Sequence, residues 1–216
     1  MIRLSLIGMA GSGKSYWSMR LAKHGFKRIC CDDLIAARLA SELRRPDGTA
    51  ADMGTWMGFP YDPGYGERES KYLTYERQVM TQILEALEGG QRRVEGNVVV
   101  DTTGSVIYTG HHMLTRLKGC TTVVYLPTPP EAQALMLKAY LANPGPMLWR
   151  DQFKKRPKES KEDALARCYP QLLTARQQLY EPYADVTIDY DTRRQEGFAV
   201  EAFLKRIRID KQPQGQ

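Results

Sequence analysis

The sequence predicts a three-layer α/β/α fold built on a parallel sheet of five strands. Three observations predict it. Five short runs rich in Val, Ile and Thr alternate with helical periodicities along the 216 residues, and such alternation folds through right-handed βαβ crossovers. Most of these runs are continuously apolar rather than alternating, as strands covered on both faces are. Residues 8–15, Gly-Met-Ala-Gly-Ser-Gly-Lys-Ser, complete a G-x-x-x-x-G-K-[ST] pattern, which cradles phosphate when a strand precedes it and a helix follows it.

The first strand is expected over Ile2–Ile7 and reads as a strand rather than a signal peptide. Gly8, Gly11 and Gly13 permit a tight turn that a Cβ would obstruct. Tyr16–Lys23 reads as helix and stops at His24-Gly25, glycine being a common terminator. Lys27–Cys31 is the second strand, and Leu34–Leu39 a helix for which Asp33 suits the N-cap. A stripe through Tyr72, Glu76, Val79, Met80, Ile83, Leu84 and Leu87 marks a helix ending at Gly89-Gly90. Asn97–Asp101 and Thr121–Leu126 are the third and fourth strands. Thr128-Pro129-Pro130-Glu131 reads as a capping box opening a helix to Leu141, which Asn143-Pro144-Gly145-Pro146 ends. A helix from Ser160 to Tyr180 is expected to bend at Pro170. Asp185–Asp189 is the fifth strand, Glu196–Ile207 the last helix, and Lys211–Gln216 a frayed tail. Residues 44–70 and 143–160 fit neither pattern, and long irregular segments of a compact domain are often lids or binding loops.

Composition narrows the class. Apolar residues make up 42% and charged residues 26%, ordinary for a soluble globular domain. No apolar stretch approaches the roughly 18 residues of a membrane span. The four cysteines, at 30, 31, 120 and 168, lack metal-ligand spacing and read as reduced thiols of a cytoplasmic protein. The net charge of +6 is dispersed except at Lys154-Lys155-Arg156-Pro157-Lys158. It suits a polyanionic nucleotide better than nucleic acid, and that dense patch reads as an ATP-covering lid. His24, His111 and His112 have no triad or metal partner in the sequence.

The candidate chemistry centres on the loop. Backbone amides from Gly8 through Gly11, Ser12 and Gly13 would surround phosphate oxygens. Lys14 would bridge the β- and γ-phosphates, and Ser15 would ligate Mg2+. ATP and Mg2+ are therefore the expected ligands. Asp32 follows the second strand, where carboxylates face the ligand crevice of a parallel sheet. Two roles stand open for it: orienting or deprotonating a hydroxyl, and holding Mg2+ through water. Asp101 ends three valines, a Walker-B-like pattern that reaches the metal shell in phosphate-loop folds. Which of Asp32 and Asp101 acts as base stays open. Arg150, Lys154, Lys155 and Arg156 in the Pro-rich segment, and Arg167 and Arg176 on the helix that follows, are candidates for transition-state charge neutralisation.

The chain resembles the shikimate kinase-like branch of the phosphate-loop kinases over most of residues 1–192. The resemblance is carried by Leu6–Ser15, by Asp32-Asp33-Leu34-Ile35, by Val123–Leu126, and by Arg176-Gln177-Gln178-Leu179-Tyr180 running into the fifth strand. It implies a P-loop NTPase fold of one domain with sheet order 2-3-1-4-5, an acceptor-binding insertion at about 34–70 and a lid at about 143–160. It implies Asp32 as the residue binding acceptor hydroxyls and the base, and Arg176 as an acceptor contact. Gly104 falls where the family has its acceptor-binding glycines, here Thr103-Gly104-Ser105. Three departures stand out. The family's first acid after the second strand is Cys30, its Phe-Arg-x-x-Glu is Tyr72-Leu73-Thr74-Tyr75-Glu76, and its lid Arg-Pro-Leu-Leu is Gly145-Pro146-Met147-Leu148. Leu73 in place of a carboxylate-gripping Arg argues against shikimate itself. The expectation is an ATP-dependent kinase acting on a small hydroxyl compound, cytoplasmic, a monomer or homodimer, without membrane or nucleic-acid partners. A nucleotide or polynucleotide kinase and a non-catalytic ATP-binding protein are the alternatives.

Overall fold

The computed structural model describes residues 1–45, 47–89 and 94–210. The expected stop at Gly90 and the tail Lys211–Gln216 lie outside the described residues. Five parallel strands, β1 (Arg3–Ile7), β2 (Lys27–Cys30), β3 (Val98–Asp101), β4 (Thr122–Tyr125) and β5 (Val186–Thr187), form one sheet in the order 2-3-1-4-5. That is the order the resemblance implies. The strands read as continuous apolar runs because both faces are covered: Val98, Val99 and Val100 are all fully buried. On one face Leu4, Leu6, Val99 and Val124 pack with Trp17 and Leu21 of α1 (Lys14–Lys23) and Phe203 of α9 (Val200–Asp210). Trp17 stacks on Phe203 at 4.7 Å. On the other face Ile7, Val98, Val100 and Tyr125 meet α2 (Cys31–Arg38), α5 (Tyr65–Glu88), α6 (His111–Cys120) and α8 (Lys161–Tyr180).

Several elements differ from expectation. Helix α2 begins at Cys31, so its N-cap is Cys30 and Asp33 lies inside the first turn, with its carboxylate 3.8 Å from Arg28. Helix α5 starts seven residues before Tyr72; only Tyr65 and Glu69 of that added turn are buried, so the apolar stripe fades there. The sequence reading had no helix between the third and fourth strands. Helix α6 fills that gap with only Leu114 and Leu117 buried, too few for a clear stripe. The capping box at Thr128 does not form: Pro129 is the N-cap of α7 (Pro130–Ala142), with no side-chain cap bond, and Thr128 Oγ1 is buried without a partner. Helix α8 continues through Pro170. Strand β5 is two residues long and α9 starts four residues later than expected.

The two irregular segments are structured against each other. Residues 40–57 contain α3 (Ala40–Leu43) and α4 (Met53–Met57). A Cβ on Gly54 of α4 would lie 1.6 Å from the carbonyl oxygen of Pro144, so the two backbones touch directly. The segment expected as a lid is anchored through its middle: Met147, Leu148 and Trp149 belong to the core, and Tyr65 Oη both accepts from Trp149 N (2.9 Å) and donates to Met147 O (2.6 Å). Lys154, Lys155, Arg156 and Lys158 remain exposed.

Candidate active site at the carboxyl ends of the central strands

The register sets the site. Leu6 pairs with Asp101 and Asp101 with Cys30, so β1, β3 and β2 end side by side. The loop at 8–13, Asp101 and the start of α2 therefore share the crevice edge where open α/β sheets bind ligands.

The loop is shaped for an anion. Gly13 is the N-cap of α1 in the left-handed conformation (φ 98°) and supplies no side-chain cap. The first intrahelical bond is Trp17 N to Gly13 O at 3.1 Å, so the amides of Lys14, Ser15 and Tyr16 precede it and face outward from the helix end. Gly8 has φ 142°, and a Cβ there would lie 2.6 Å from Leu126 O and 2.9 Å from Ser12 Oγ. Ser12 Oγ is itself buried with no hydrogen-bond partner, a polar atom that a phosphate oxygen would satisfy. Ser15 is exposed beside it. Arg193 braces the loop from behind, donating to Ser12 O (3.2 Å), Pro127 O (2.5 Å) and Ile188 O (2.7 Å). Burial lowers its guanidinium to about 10.

Lys14 Nζ donates to the carbonyls of Gly8 (2.8 Å) and Met9 (2.9 Å). Burial lowers its pKa to about 8, and the carboxylates of Asp101 and Asp32 oppose that shift. Asp32, in the first turn of α2, lines the same cleft and accepts from Tyr72 Oη at 3.1 Å. Burial raises its carboxyl, while Lys14 and the Tyr72 bond pull it back. The cleft holds about 360 Å3, running from Gly11 and Ser15 to Asp32, Tyr72, Thr103 and Gly104. Gly104 is there for want of space: its Cβ would lie 2.8 Å from Ala10 N.

Other expected residues are placed differently. Asp101 is 2% exposed, and its Oδ2 accepts from Arg28 (2.6 Å) and Ser18 Oγ (2.8 Å). It faces those side chains and does not line the cleft. Arg176 lies behind Gly104. It donates to the carbonyls of Gly104 (2.9 Å) and Leu148 (2.5 Å), sits 5.3 Å over the Tyr108 ring, and leaves Nε unpartnered. Tyr180 Oη also donates to Gly104 O. Arg150 has φ 52° and lies 3.5 Å from Glu69, which also accepts from its backbone N at 2.8 Å. It lines neither this cleft nor the groove beside it.

Sequence reasoning missed three functional neighbours. Glu76 of α5 is buried and accepts from Thr103 Oγ1 and from Ser105 Oγ (2.8 Å); burial raises it to about 7. Arg28 neutralises Asp101 and Ser18 donates to it, pairings across 73 and 83 residues that no local pattern shows. A groove of about 550 Å3 opens from Gly11–Gly13 between Tyr16, Trp17 and Arg20 on α1 and Arg194, Gln195 and Phe198. The Arg193-Arg194 pair before Gly197 was its one visible signal.

The fold has counterparts among solved structures. A shikimate kinase from Acinetobacter baumannii, in complex with shikimate, superposes with a TM-score of 0.64, at 21% identity over 99% of this chain and 96% of that one. The chain has the shikimate kinase fold. Shikimate kinases from Bacteroides thetaiotaomicron (TM-score 0.58, 18% identity, 96% of this chain and 97% of that one) and Aquifex aeolicus (0.58, 19%, 96% of each) agree. No family model and no curated protein matches the sequence. Among the described residues no helix is long and apolar enough to cross a membrane, and no cluster of three His, Cys, Asp or Glu side chains forms a metal cage.

Proposed function

We propose that the chain is a phosphotransferase that moves the γ-phosphoryl group of ATP to the hydroxyl of a small molecule. One observation carries the reading: an uncapped helix start bearing Lys14 shares a single cleft with the half-buried carboxyl of Asp32. The orphan Ser12 hydroxyl and the uncapped amides at the start of α1 fit a polyphosphate. The groove between Tyr16, Arg20 and Phe198 takes the nucleoside. Ser15, exposed beside the loop, is the side chain that would hold Mg2+. Bound there, Mg2+ supplies charge neutralisation on the phosphates.

Each residue has a derived task. Lys14 turns from the Gly8 and Met9 carbonyls to the phosphoryl oxygens and stays cationic below about pH 8. Tyr72 holds Asp32 in place. Asp32 accepts the acceptor's proton as the acceptor oxygen bonds to the γ-phosphorus. The bond from that phosphorus to the bridging oxygen breaks, and ADP leaves with the electron pair. Asp101 orients α1 and β2 through Ser18 and Arg28 rather than touching substrate. Arg176 fixes Gly104 against the loop. The decisive experiment is calorimetry with Mg-ATP followed by ADP release across hydroxyl acceptors. ATP binding with acceptor-dependent ADP release is expected, and no binding heat refutes the reading.

One observation favours a second reading, an ATP binder without transfer. Among the described residues, the segment 143–160 sends no cation into the cleft, because Arg150 is tied to Glu69. Saturable ATP binding with no product from any acceptor would select it.

A further inference from the structure

Building on the phosphotransferase reading, we propose that the acceptor is a small hydroxyl compound without a carboxylate or phosphate of its own, either uncharged or bearing an ammonium group. The charge inventory of the acceptor end leads there. Asp32, Tyr72, Thr103, Met53, Gly145 and Pro146 wall it. The only charged group among them is a carboxylate. A second carboxylate, Glu76, sits directly behind Thr103, held by the Thr103 and Ser105 hydroxyls.

Lys14 is the only cation among the residues lining the cleft, and the arginines packed behind it are bound to other groups. Lys14 bonds the loop carbonyls and belongs to the phosphate side. Arg176 spends both terminal nitrogens on the carbonyls of Gly104 and Leu148, with Gly104 standing between it and the cleft. Arg150 faces Glu69, Arg68 donates to the carbonyls of Met57 and Pro63, and Arg77 donates to that of Tyr108. An acceptor carboxylate or phosphate would thus be desolvated beside the Asp32 carboxylate and a partly protonated Glu76, with no guanidinium to pair with, which buried anions do not tolerate. Recognition of such groups normally uses a bidentate Arg. The wall offers instead what a polyol binds: Tyr72 Oη, Thr103 Oγ1 and the Asp32 carboxylate. An ammonium group would gain from the same two acids.

Size is restricted too. The 360 Å3 includes the phosphate end. The segments roofing it, α4 and residues 144–146, are seated backbone to backbone at Gly54 and Pro144. A nucleoside monophosphate or a nucleic-acid end therefore fails on charge, and the latter also on bulk.

The test uses sets of acceptors of similar ring size that differ chiefly in charge: glucose, glucosamine and glucuronate; myo-inositol, an aminocyclitol and quinate; thymidine and thymidine 5′-monophosphate. The full chain is assayed with Mg-ATP by ADP release, with the phosphorylated product seen by phosphorus NMR. The best neutral or cationic member is expected to exceed its anionic counterpart in kcat/KM by at least about tenfold. Met53→Arg, which puts a guanidinium into the wall, should raise the anionic member's share within a set; a merely structural lesion would lower all members alike. An anionic member turned over best overturns the proposal. ATP binding with no turnover in any set, or no ATP binding at all, defeats instead the phosphotransferase reading beneath it.

Discussion

Removing Arg28 tests what Asp101 is for. Asp101 is almost fully enclosed, and its nearest cation is the Arg28 guanidinium at 2.6 Å, whose side chain is 24% exposed. Deleting one partner of a fully buried ion pair costs about 3–5 kcal/mol, since the other charge stays behind. A pair at the surface is worth only about 0–1 kcal/mol. Arg28 lies at the rim and Ser18 still donates to Asp101, so Arg28→Met should cost about 2–3 kcal/mol. For a domain of this length that lowers the melting temperature by about 5–10 °C. The double variant Arg28→Met/Asp101→Asn should recover most of the loss, because the stranded charge is gone and the Ser18 hydroxyl still has an oxygen to bond. The assay is thermal unfolding of the four proteins at pH 7, with and without millimolar Mg2+. Additive losses, or an Arg28→Met protein that melts within 1 °C of the parent, would refute the structural role. Restoration of Arg28→Met by Mg2+ alone would return Asp101 to the metal shell.

Three further outcomes follow from the same geometry. Lys14→Ala should abolish ATP-dependent turnover, by a factor of at least about 10^3, while melting near the parent temperature because a buried ammonium is removed; retained turnover contradicts its role. Glu76, raised to about 7 by burial, binds a proton in the folded chain that the unfolded chain releases near its ordinary value. Its contribution is therefore complete below about pH 4.5 and lost as pH rises through 7, on the order of 3 kcal/mol; Glu76→Gln should flatten that stretch of the stability profile, and an unchanged profile would count against it. Trp149→Ala should cost about 3–5 kcal/mol, read by denaturant unfolding, because residues 147–149 are core; a loss under 1 kcal/mol would show that this segment is a free lid after all.

The loop was legible because its chemistry is local. Glycines at 8, 11 and 13 followed by Lys14 and Ser15 specify a turn and an uncapped helix start within eight residues. The strands were legible because burial on both faces leaves runs of valine. Helix α6 was not, because two inward leucines do not make a period, and the failed cap at Thr128 was not, because Pro129 took the N-cap position. In the chain Arg150 reads as a cation for the phosphoryl group and Arg176, through the resemblance, as an acceptor contact. Only the fold shows the first held by Glu69 and the second spent on main-chain carbonyls.

From the chain alone came the layered architecture, the phosphate loop and the nearness of Asp32 to it, since each rests on short spacing, periodicity or the end of a strand. Tertiary structure decided the partners of the described buried charges and the charge that lines the cleft. Those depend on side chains tens of residues apart meeting at one edge of the sheet, where desolvation makes each pairing count.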